Sequence, residues 1–112
     1  MSARPSPQGD HLVVFITTPT PEVAAQIARA LVEERLAACG NVVPGLRSIY
    51  RWDGKIHDDA EALLVLKSTR DRFEALRERV LALHPYEVPE VIALPIEAGS
   101  APYLEWIAAE TR

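Results

Sequence analysis

The sequence predicts an α+β domain whose elements follow the order β-α-β-β-α-β, with one further helix at the C-terminus. Three observations predict it: a β-branched run near the N-terminus, two amphipathic helical segments, and two alternating runs that meet at Asp53-Gly54. This order is the ferredoxin-like or split βαβ arrangement. Right-handed crossovers would then place both long helices on one face of an antiparallel sheet.

The two alternating runs, 41–52 and 55–67, are the most informative feature of the chain. Asp-Gly between them predicts a type I′ hairpin, because both residues tolerate positive φ. Each run is about twice the usual strand length of roughly five or six residues, so the hairpin should project past its own core. Its outer half carries the apolar side chains Ile49, Tyr50, Trp52 and Ile56. This exposed apolar surface predicts an oligomer.

The first strand and helix are predicted from a short N-terminal segment. Residues 12–17 form a continuous β-branched and aromatic run, typical of a strand buried on both faces. Thr20 and Pro21 read as the N-cap and first residue of a helix. An apolar stripe continues this helix to about Ala38, with Gly40 as a plausible stop.

The second half of the domain follows the hairpin. A helix opens at Ser68 or Thr69, with capping-box-like spacing between Ser68 and Asp71, and Pro85 forbids its continuation. Its apolar stripe consists of Phe73, Leu76, Val80 and Leu83. A fourth strand is predicted at about 90–96, and because Pro95 lacks an N–H for the ladder, the end of this strand lies at a sheet edge or leaves the sheet. A short last helix starts at 100–102.

Composition limits the possible functions. With 112 residues and 48% apolar residues, the chain forms one domain, predicted at 11–112 after a disordered polar tail at 1–10. The net charge is −4 and no basic run exceeds two residues, so we expect no nucleic-acid partner and no anionic membrane surface. No apolar run could span a bilayer. A single Cys and the lack of a signal-peptide pattern favour the cytoplasm.

Three stretches resemble the CutA family of divalent-cation-tolerance proteins: ERLAACGNVVPGLRSIYRWDGKI, LHPYEVPEVIALPIEAGS and YLEWI. The resemblance runs from about residue 12 to the C-terminus. It implies a ferredoxin-like subunit in a tight homotrimer, similar in architecture to the PII signalling proteins. It also implies a cytoplasmic protein associated with copper and other divalent ions.

His84, in the segment LHPY, is the candidate metal ligand. Some copper-associated CutA proteins carry a second His before this position and a Cys in the first strand. Here those positions hold Leu83 and Ile16, so one candidate ligand of three is retained. The alternative is a structural His that stabilises the helix C-terminus through its hydrogen bonds and the macrodipole. Cys39 is interpreted as a small packed side chain rather than a ligand.

Two further groups of side chains have both a functional and a structural interpretation. An acidic cluster beside the turn could bind a divalent ion loosely, or could solvate an exposed edge; it comprises His57, Asp58, Asp59 and Glu61. The aromatic side chains favour a subunit interface over a ligand pocket; they are Tyr50, Trp52, Tyr86, Tyr103 and Trp106. Lys67 and Glu90 could line a cleft between subunits.

The leading hypothesis is a non-enzymatic homotrimer that needs no cofactor, binds copper or another divalent cation weakly, and contributes to metal tolerance. No Ser or Cys nucleophile has a predictable base, and no phosphate loop or zinc motif occurs. The alternative is a PII-like sensor that binds a small metabolite in its inter-subunit clefts. A third hypothesis is a structural platform whose function is the trimer itself.

We expect Trp52→Ala to weaken assembly more than it alters any metal affinity. The indole is a large apolar surface on the outer hairpin, where a partner subunit would cover it. Sedimentation velocity of the variant measures the assembly directly. A variant that still sediments as an intact trimer would contradict the prediction.

Overall fold

The computed structural model describes residues 10–112 and confirms the predicted order and fold class. The sheet order is β2-β3-β1-β4 and every neighbouring pair is antiparallel. The elements are β1 (His11–Thr18), α1 (Pro21–Glu33), β2 (Cys39–Trp52), β3 (Lys55–Thr69), α2 (Arg70–Leu83), β4 (Ile92–Pro95) and α3 (Ala101–Glu110).

The predicted N-terminal tail lies outside the described residues, apart from its last member, Asp10. The Asp10 carbonyl accepts a hydrogen bond of 2.7 Å from the Arg70 backbone N–H at the start of α2. Asp10 is therefore tied to the folded domain.

The core lies between the sheet and the layer formed by α1 and α2. Alternate residues of the two central strands point into it and are almost completely buried, namely Leu12, Val14, Ile16, Ala62, Leu64 and Leu66. The intervening residues of β1 face the other side of the sheet and are only half-buried. The prediction that β1 is buried on both faces is therefore met only on the helix side, because α3 covers the other face incompletely.

The hairpin has the predicted turn. Asp53 and Gly54 have φ of 53° and 74°, as a type I′ turn requires, and Trp52 pairs with Lys55 beside it. The subunit measures 57 × 25 × 22 Å, which agrees with a hairpin that projects beyond the core. The sequence reading missed a bulge between Val43 and Leu46, where Gly45 adopts φ of 82°.

Helix α1 ends at Glu33, five residues before the predicted end. Its C-terminus is a Schellman motif: the Leu36 N–H donates to the Leu31 carbonyl (2.9 Å), and the Arg35 N–H donates to the Val32 carbonyl (3.1 Å). Arg35 has φ of 60°, the left-handed conformation that glycine usually supplies at this position.

Gly40 has a different role from the predicted helix stop. It lies in β2 on the side that faces α1, and a Cβ there would be 2.9 Å from the Cβ of Ala28. Its missing side chain allows the strand and helix to pack closely.

Helix α2 starts where it was predicted to start, but its capping differs from the prediction. Thr69 is the N-cap and makes no side-chain capping hydrogen bond. Ser68 is fully buried, and its hydroxyl donates to the Leu36 carbonyl (2.6 Å), so the capping box with Asp71 does not form. The buried hydroxyl instead connects the end of β3 to the segment after α1.

The last strand, β4, lies at the edge of the sheet, and the last helix, α3, lies on the sheet face opposite to α1 and α2. β4 is shorter than predicted but lies at the edge, as Pro95 indicated. α3 contacts β3 and β1, and Ile107 at its centre is fully buried. The Cys39 sulfur lies 3.6 Å from the Tyr103 hydroxyl, so the Tyr103 side chain of α3 reaches the first residue of β2.

We expect Arg35→Gly to be more stable than Arg35→Ala by about 1 kcal/mol, because glycine adopts positive φ without a Cβ clash. The two variants are matched, since both remove the 3.5 Å ion pair between Arg35 and Glu110. Urea unfolding at one fixed protein concentration measures the difference. Equal stability of the two variants would show that the left-handed residue costs nothing here.

Candidate functional site

A cleft of about 640 Å³ lies where the outer hairpin leaves the core. Its walls are the outer half of β2, the end of β1, Glu61 of β3, and the loop between α2 and β4. The lining residues are Thr17, Ser48, Ile49, Tyr50, Trp52, Glu61, Pro85, Tyr86, Glu87, Val88 and Glu90. The volume falls within the usual range of small-molecule sites.

Tyr86 and Glu61 form the most specific polar contact of the cleft. The Tyr86 hydroxyl donates to Glu61 Oε2 at 2.6 Å, which joins the loop after α2 to β3 across 25 residues of sequence. Burial, followed by this hydrogen bond to a carboxylate, raises the pKa of Tyr86 well above its usual value. Tyr86 therefore remains a protonated donor throughout the neutral range.

Three of the four residues of the predicted acidic cluster have a partner on the hairpin, and the fourth, Glu61, accepts from Tyr86 of the loop after α2. Asp59 accepts a 2.5 Å hydrogen bond from the Tyr50 hydroxyl, and this bond raises the pKa of Tyr50. The His57 ring stacks on the Tyr50 ring with their centroids 5.1 Å apart. The Arg47 guanidinium makes two hydrogen bonds to Asp58 and holds the pKa of that carboxyl below its usual range. The cluster thus braces the hairpin.

His84 is buried at the C-terminus of α2, and both of its ring nitrogens are hydrogen-bonded. Nδ1 accepts from the Tyr86 backbone N–H (3.1 Å), so Nε2 carries the proton and donates to the Thr17 carbonyl (2.7 Å). The ring therefore anchors the cleft loop to the end of β1. A metal ion could bind His84 only after one of these two hydrogen bonds is broken.

The other positions considered for metal binding are far less suitable. Ile16 is fully buried in the core, and Leu83 is partly exposed. Within residues 10–112, no three His, Cys, Asp or Glu side chains are grouped closely enough to hold a metal ion. The donors among residues 10–112 of a single subunit therefore do not fit a resident metal.

Lys67 and Glu90, which were predicted to line a cleft between subunits, have different places in the single subunit. Glu90 lines the cleft beside the hairpin, whereas Lys67 donates a hydrogen bond to Asn41 on the sheet. Their place in a cleft between subunits stays a prediction. The contact between Tyr86 and Glu61 was missed. The sequence shows a Tyr in the loop and an acid in the strand, but no sequence pattern indicates that these two side chains meet.

Two separate apolar surfaces are exposed on the subunit. One is the outer hairpin, where Ile49 is 67% and Ile56 is 62% exposed. The other lies on the sheet face opposite to α1 and α2, where Ile92 and Leu94 pair with Phe15 and Val13. Of the helices in residues 10–112, none is both long and apolar enough to cross a membrane.

The sheet order, the long hairpin and the added C-terminal helix define a ferredoxin-like α+β subunit. The family model described as CutA1 divalent ion tolerance protein matches residues 12–110. The chain belongs to this family, as the resemblance of the three sequence stretches indicated.

Relatives agree with this assignment. The Divalent-cation tolerance protein CutA of Thermus thermophilus is 60% identical over 99 residues, which cover 88% of this chain and 96% of the relative. A solved structure of the Thermus thermophilus protein superposes with a TM-score of 0.89 at 58% identity, covering 91% of this chain and 99% of the other.

The expectation of a cytoplasmic location is wrong as a general conclusion. An Arabidopsis thaliana relative named Protein CutA, chloroplastic is 50% identical over 90% of this chain, which spans 56% of that protein. A solved structure of CutA from Archaeoglobus fulgidus is described as periplasmic. It is 37% identical with a TM-score of 0.88, and the match covers 91% of this chain and 99% of that chain. A single Cys is compatible with several compartments, so it cannot identify one.

We expect Tyr86→Phe to lose about 1 kcal/mol of stability at neutral pH, since the hydrogen bond to Glu61 is partly solvent-exposed. The raised pKa of Tyr86 adds a pH dependence. The folded state holds the phenol proton more tightly, so this stabilisation is complete below the usual tyrosine pKa of 10.0 and declines as the pH rises above it.

The pH dependence is measured by urea unfolding between neutral and alkaline pH. The native protein should lose stability above pH 10 more steeply than the Phe variant, which keeps the ring but not the hydroxyl. Identical slopes for the two proteins would contradict the assignment of this contribution to Tyr86.

Proposed function

We propose that the protein is a non-enzymatic homotrimer that contributes to tolerance of divalent cations and binds copper or another divalent ion weakly. Membership of the CutA1 divalent ion tolerance family is the observation that carries the proposal. The family description names ion tolerance rather than a reaction, and the sequence contains no evident nucleophile paired with a base.

Two observations support the trimer. The apolar outer hairpin and the apolar sheet face are different surfaces of one subunit, and both need a partner. Contact between two different surfaces is heterologous, and such contacts close into a ring when the rotation between subunits allows it. A three-membered ring is the smallest such ring that is not a dimer, and it would also protect the edges of the sheet.

Weak ion binding follows from the hydrogen bonds of His84. This residue is the predicted imidazole ligand, and it would have to release either the Tyr86 N–H or the Thr17 carbonyl to coordinate an ion. Leaving a buried polar group without its partner costs about 1–3 kcal/mol. A second subunit would need to supply further ligands, because a single subunit does not gather three of them among residues 10–112.

A second candidate function is binding of a small molecule in the cleft beside the hairpin. The 640 Å³ volume and the aromatic lining support it, because such pockets are typical of small-molecule sites. In this function the cleft loop, held by His84 and Tyr86, would communicate the bound state to a partner protein.

The test of ion binding is a calorimetric Cu²⁺ titration of the assembled, untagged protein in competition with a weak chelator. We expect saturable binding weaker than about 1 μM, or roughly −8 kcal/mol. His84→Gln should lower the affinity by at least about tenfold if its imidazole is a ligand. Sedimentation of the same sample measures whether the assembly is a trimer.

His57→Gln is the matched control, because His57 lies on the hairpin, where its ring stacks on Tyr50. The control should leave Cu²⁺ affinity unchanged. Loss of binding in the His57 variant alone would transfer the ion site to the acidic cluster. Thermal unfolding of both variants separates a lost ligand from a lost structural hydrogen bond.

A further inference from the structure

We propose that a second cavity, at the end of the subunit opposite to the hairpin turn, binds a phosphate group, either as the free ion or as part of a small metabolite. The cavity has a volume of about 490 Å³ and lies between the start of β1, the N-terminus of α2 and the C-terminus of α3. We call it the α2–α3 cavity. It is separate from the predicted ion ligand His84 and from the cleft beside the hairpin.

The α2–α3 cavity lies away from the surfaces for which a partner subunit is proposed. Strand β3 runs from Lys55, beside the turn, to Thr69, which lines the cavity, so roughly 45 Å of strand separates the two. Among the lining residues that the structure describes, none belongs to the outer hairpin or to the apolar sheet face around Ile92 and Leu94. Trimer formation through those two surfaces therefore does not require this end of the subunit.

The His11 side chain is the observation that points to a ligand. His11 lines the cavity and is only 8% exposed, and its ring makes no hydrogen bond to the described part of the chain. Within residues 10–112, no side-chain nitrogen or oxygen is both shielded from solvent and unpaired, so the ring nitrogens of His11 are reached through the cavity. A nearly buried imidazole without a protein partner is suited to hydrogen-bond a molecule in this cavity.

The N-terminus of α2 provides backbone donors at the same cavity. Thr69 is the N-cap but makes no side-chain capping hydrogen bond, so the N–H groups of Asp71 and Arg72 lack the acceptor that an N-cap usually supplies. All three residues line the cavity. The helix has 14 residues, and its dipole places about half a positive charge at this end. Uncapped N–H groups and the helix dipole together favour an anion.

The charged side chains of the described lining leave an excess of one positive charge. They are Arg70, Arg72, Arg112, Asp10 and Asp71. The Arg72 side chain is held in position, because its Nε donates to the Thr111 carbonyl at 2.5 Å, and its Nη groups remain as donors. The two carboxylates and His11 do not form a metal site, since residues 10–112 contain no cluster of three such groups.

A phosphate group matches this mixture of donors and acceptors better than other small anions do. Its oxygens accept hydrogen bonds from guanidinium and backbone N–H groups. A hydrogen phosphate group also carries an O–H, which can donate to the acceptor nitrogen of a neutral His11 ring or to one of the carboxylates. Sulfate and acetate have no such proton at neutral pH. We therefore expect the cavity to distinguish phosphate from sulfate, although the two ions have the same shape.

The test is a titration of the assembled, untagged protein at neutral pH and constant ionic strength, followed by NMR. The probes are inorganic phosphate, glycerol phosphate, sulfate and acetate. Phosphate should shift the backbone N–H signals of Asp71 and Arg72 and the ring signals of His11 saturably, and should bind at least about fivefold more tightly than sulfate. The ring signals of His57, on the hairpin, are the internal control and should not shift.

The two phosphate probes distinguish the sources of the group. Equal affinities would identify the phosphate ion itself as the ligand, whereas tighter binding of glycerol phosphate would identify a phosphorylated metabolite.

Two variants remove different parts of the site. His11→Phe keeps a ring but removes both nitrogens, so it should weaken phosphate binding by about tenfold and abolish the preference over sulfate. Arg112→Gln removes one exposed charge from the lining and should weaken phosphate binding by about threefold. Arg29→Gln is the matched control on the exposed surface of α1, outside the lining, and should change the affinity by less than about 1.5-fold.

Three outcomes would overturn the proposal. Shifts that do not saturate, or that sodium chloride reproduces, would show only general attraction of anions. Saturable binding that both His11→Phe and Arg112→Gln retain unchanged would place the anion elsewhere. Equal binding of phosphate and sulfate by the native protein would refute recognition of the phosphate proton.

The proposal stays testable if His11→Phe does not fold, which loss of its dispersed NMR spectrum would show. Arg112→Gln, at an exposed position, and the ratio of phosphate to sulfate affinity in the native protein then decide it. Either result leaves the ion-tolerance proposal to its own Cu²⁺ titration.

Discussion

The helix layer covers only the inner half of the β2–β3 hairpin, and most features of this subunit follow from that mismatch. Ala62, Leu64 and Leu66 of β3 are completely buried beneath the helices, whereas the segment from Lys55 to Ala60 is largely exposed. The antiparallel ladder nevertheless continues to the turn. Backbone hydrogen bonds therefore hold the hairpin together beyond the core. Its apolar side chains can be buried only against a surface outside this core.

The point where the hairpin leaves the core is also where the cleft forms. Thr17 lies near the end of β1, and the His84 ring donates a hydrogen bond to its carbonyl, which holds the loop after α2 in place. Tyr86 then reaches across to Glu61 on β3. The buried imidazole of His84 thus stabilises the structure at the place where a functional site is expected. Its two hydrogen bonds would have to be given up in part before it could bind a metal ion.

The acidic residues near the turn show why a charged pattern is a poor guide to ion binding. Asp58 is paired with Arg47 on the exposed hairpin, and Asp59 accepts the Tyr50 phenol. Asp58 and Asp59 point to opposite faces of the strand, and Glu61, which shares the Asp59 face, accepts the Tyr86 phenol. A cation site requires convergence of several oxygen or nitrogen atoms, and the described part of one subunit, residues 10–112, does not provide it.

The sequence by itself determined the features that depend on short-range sterics. Asp53-Gly54 defined the turn because few residues tolerate two successive positive φ values, and Pro95 placed β4 at an edge because it lacks an N–H. Thr20 and Pro21 began α1, where the Thr20 hydroxyl accepts the Val23 N–H. Such preferences act over a few residues, so they can be read without knowledge of the fold.

Only the tertiary structure decided the features that depend on packing between distant segments. Helix α1 ends early because Leu31 and Leu36 are both buried around Arg35, and that burial outweighs the cost of a left-handed Arg. The Ser68 hydroxyl donates a hydrogen bond to the Leu36 carbonyl instead of capping α2. The second ring nitrogen of His84 is hydrogen-bonded because the fold places Thr17, 67 positions earlier in the sequence, beside it. No local pattern encodes these distances, since they arise only when the sheet and helices come together.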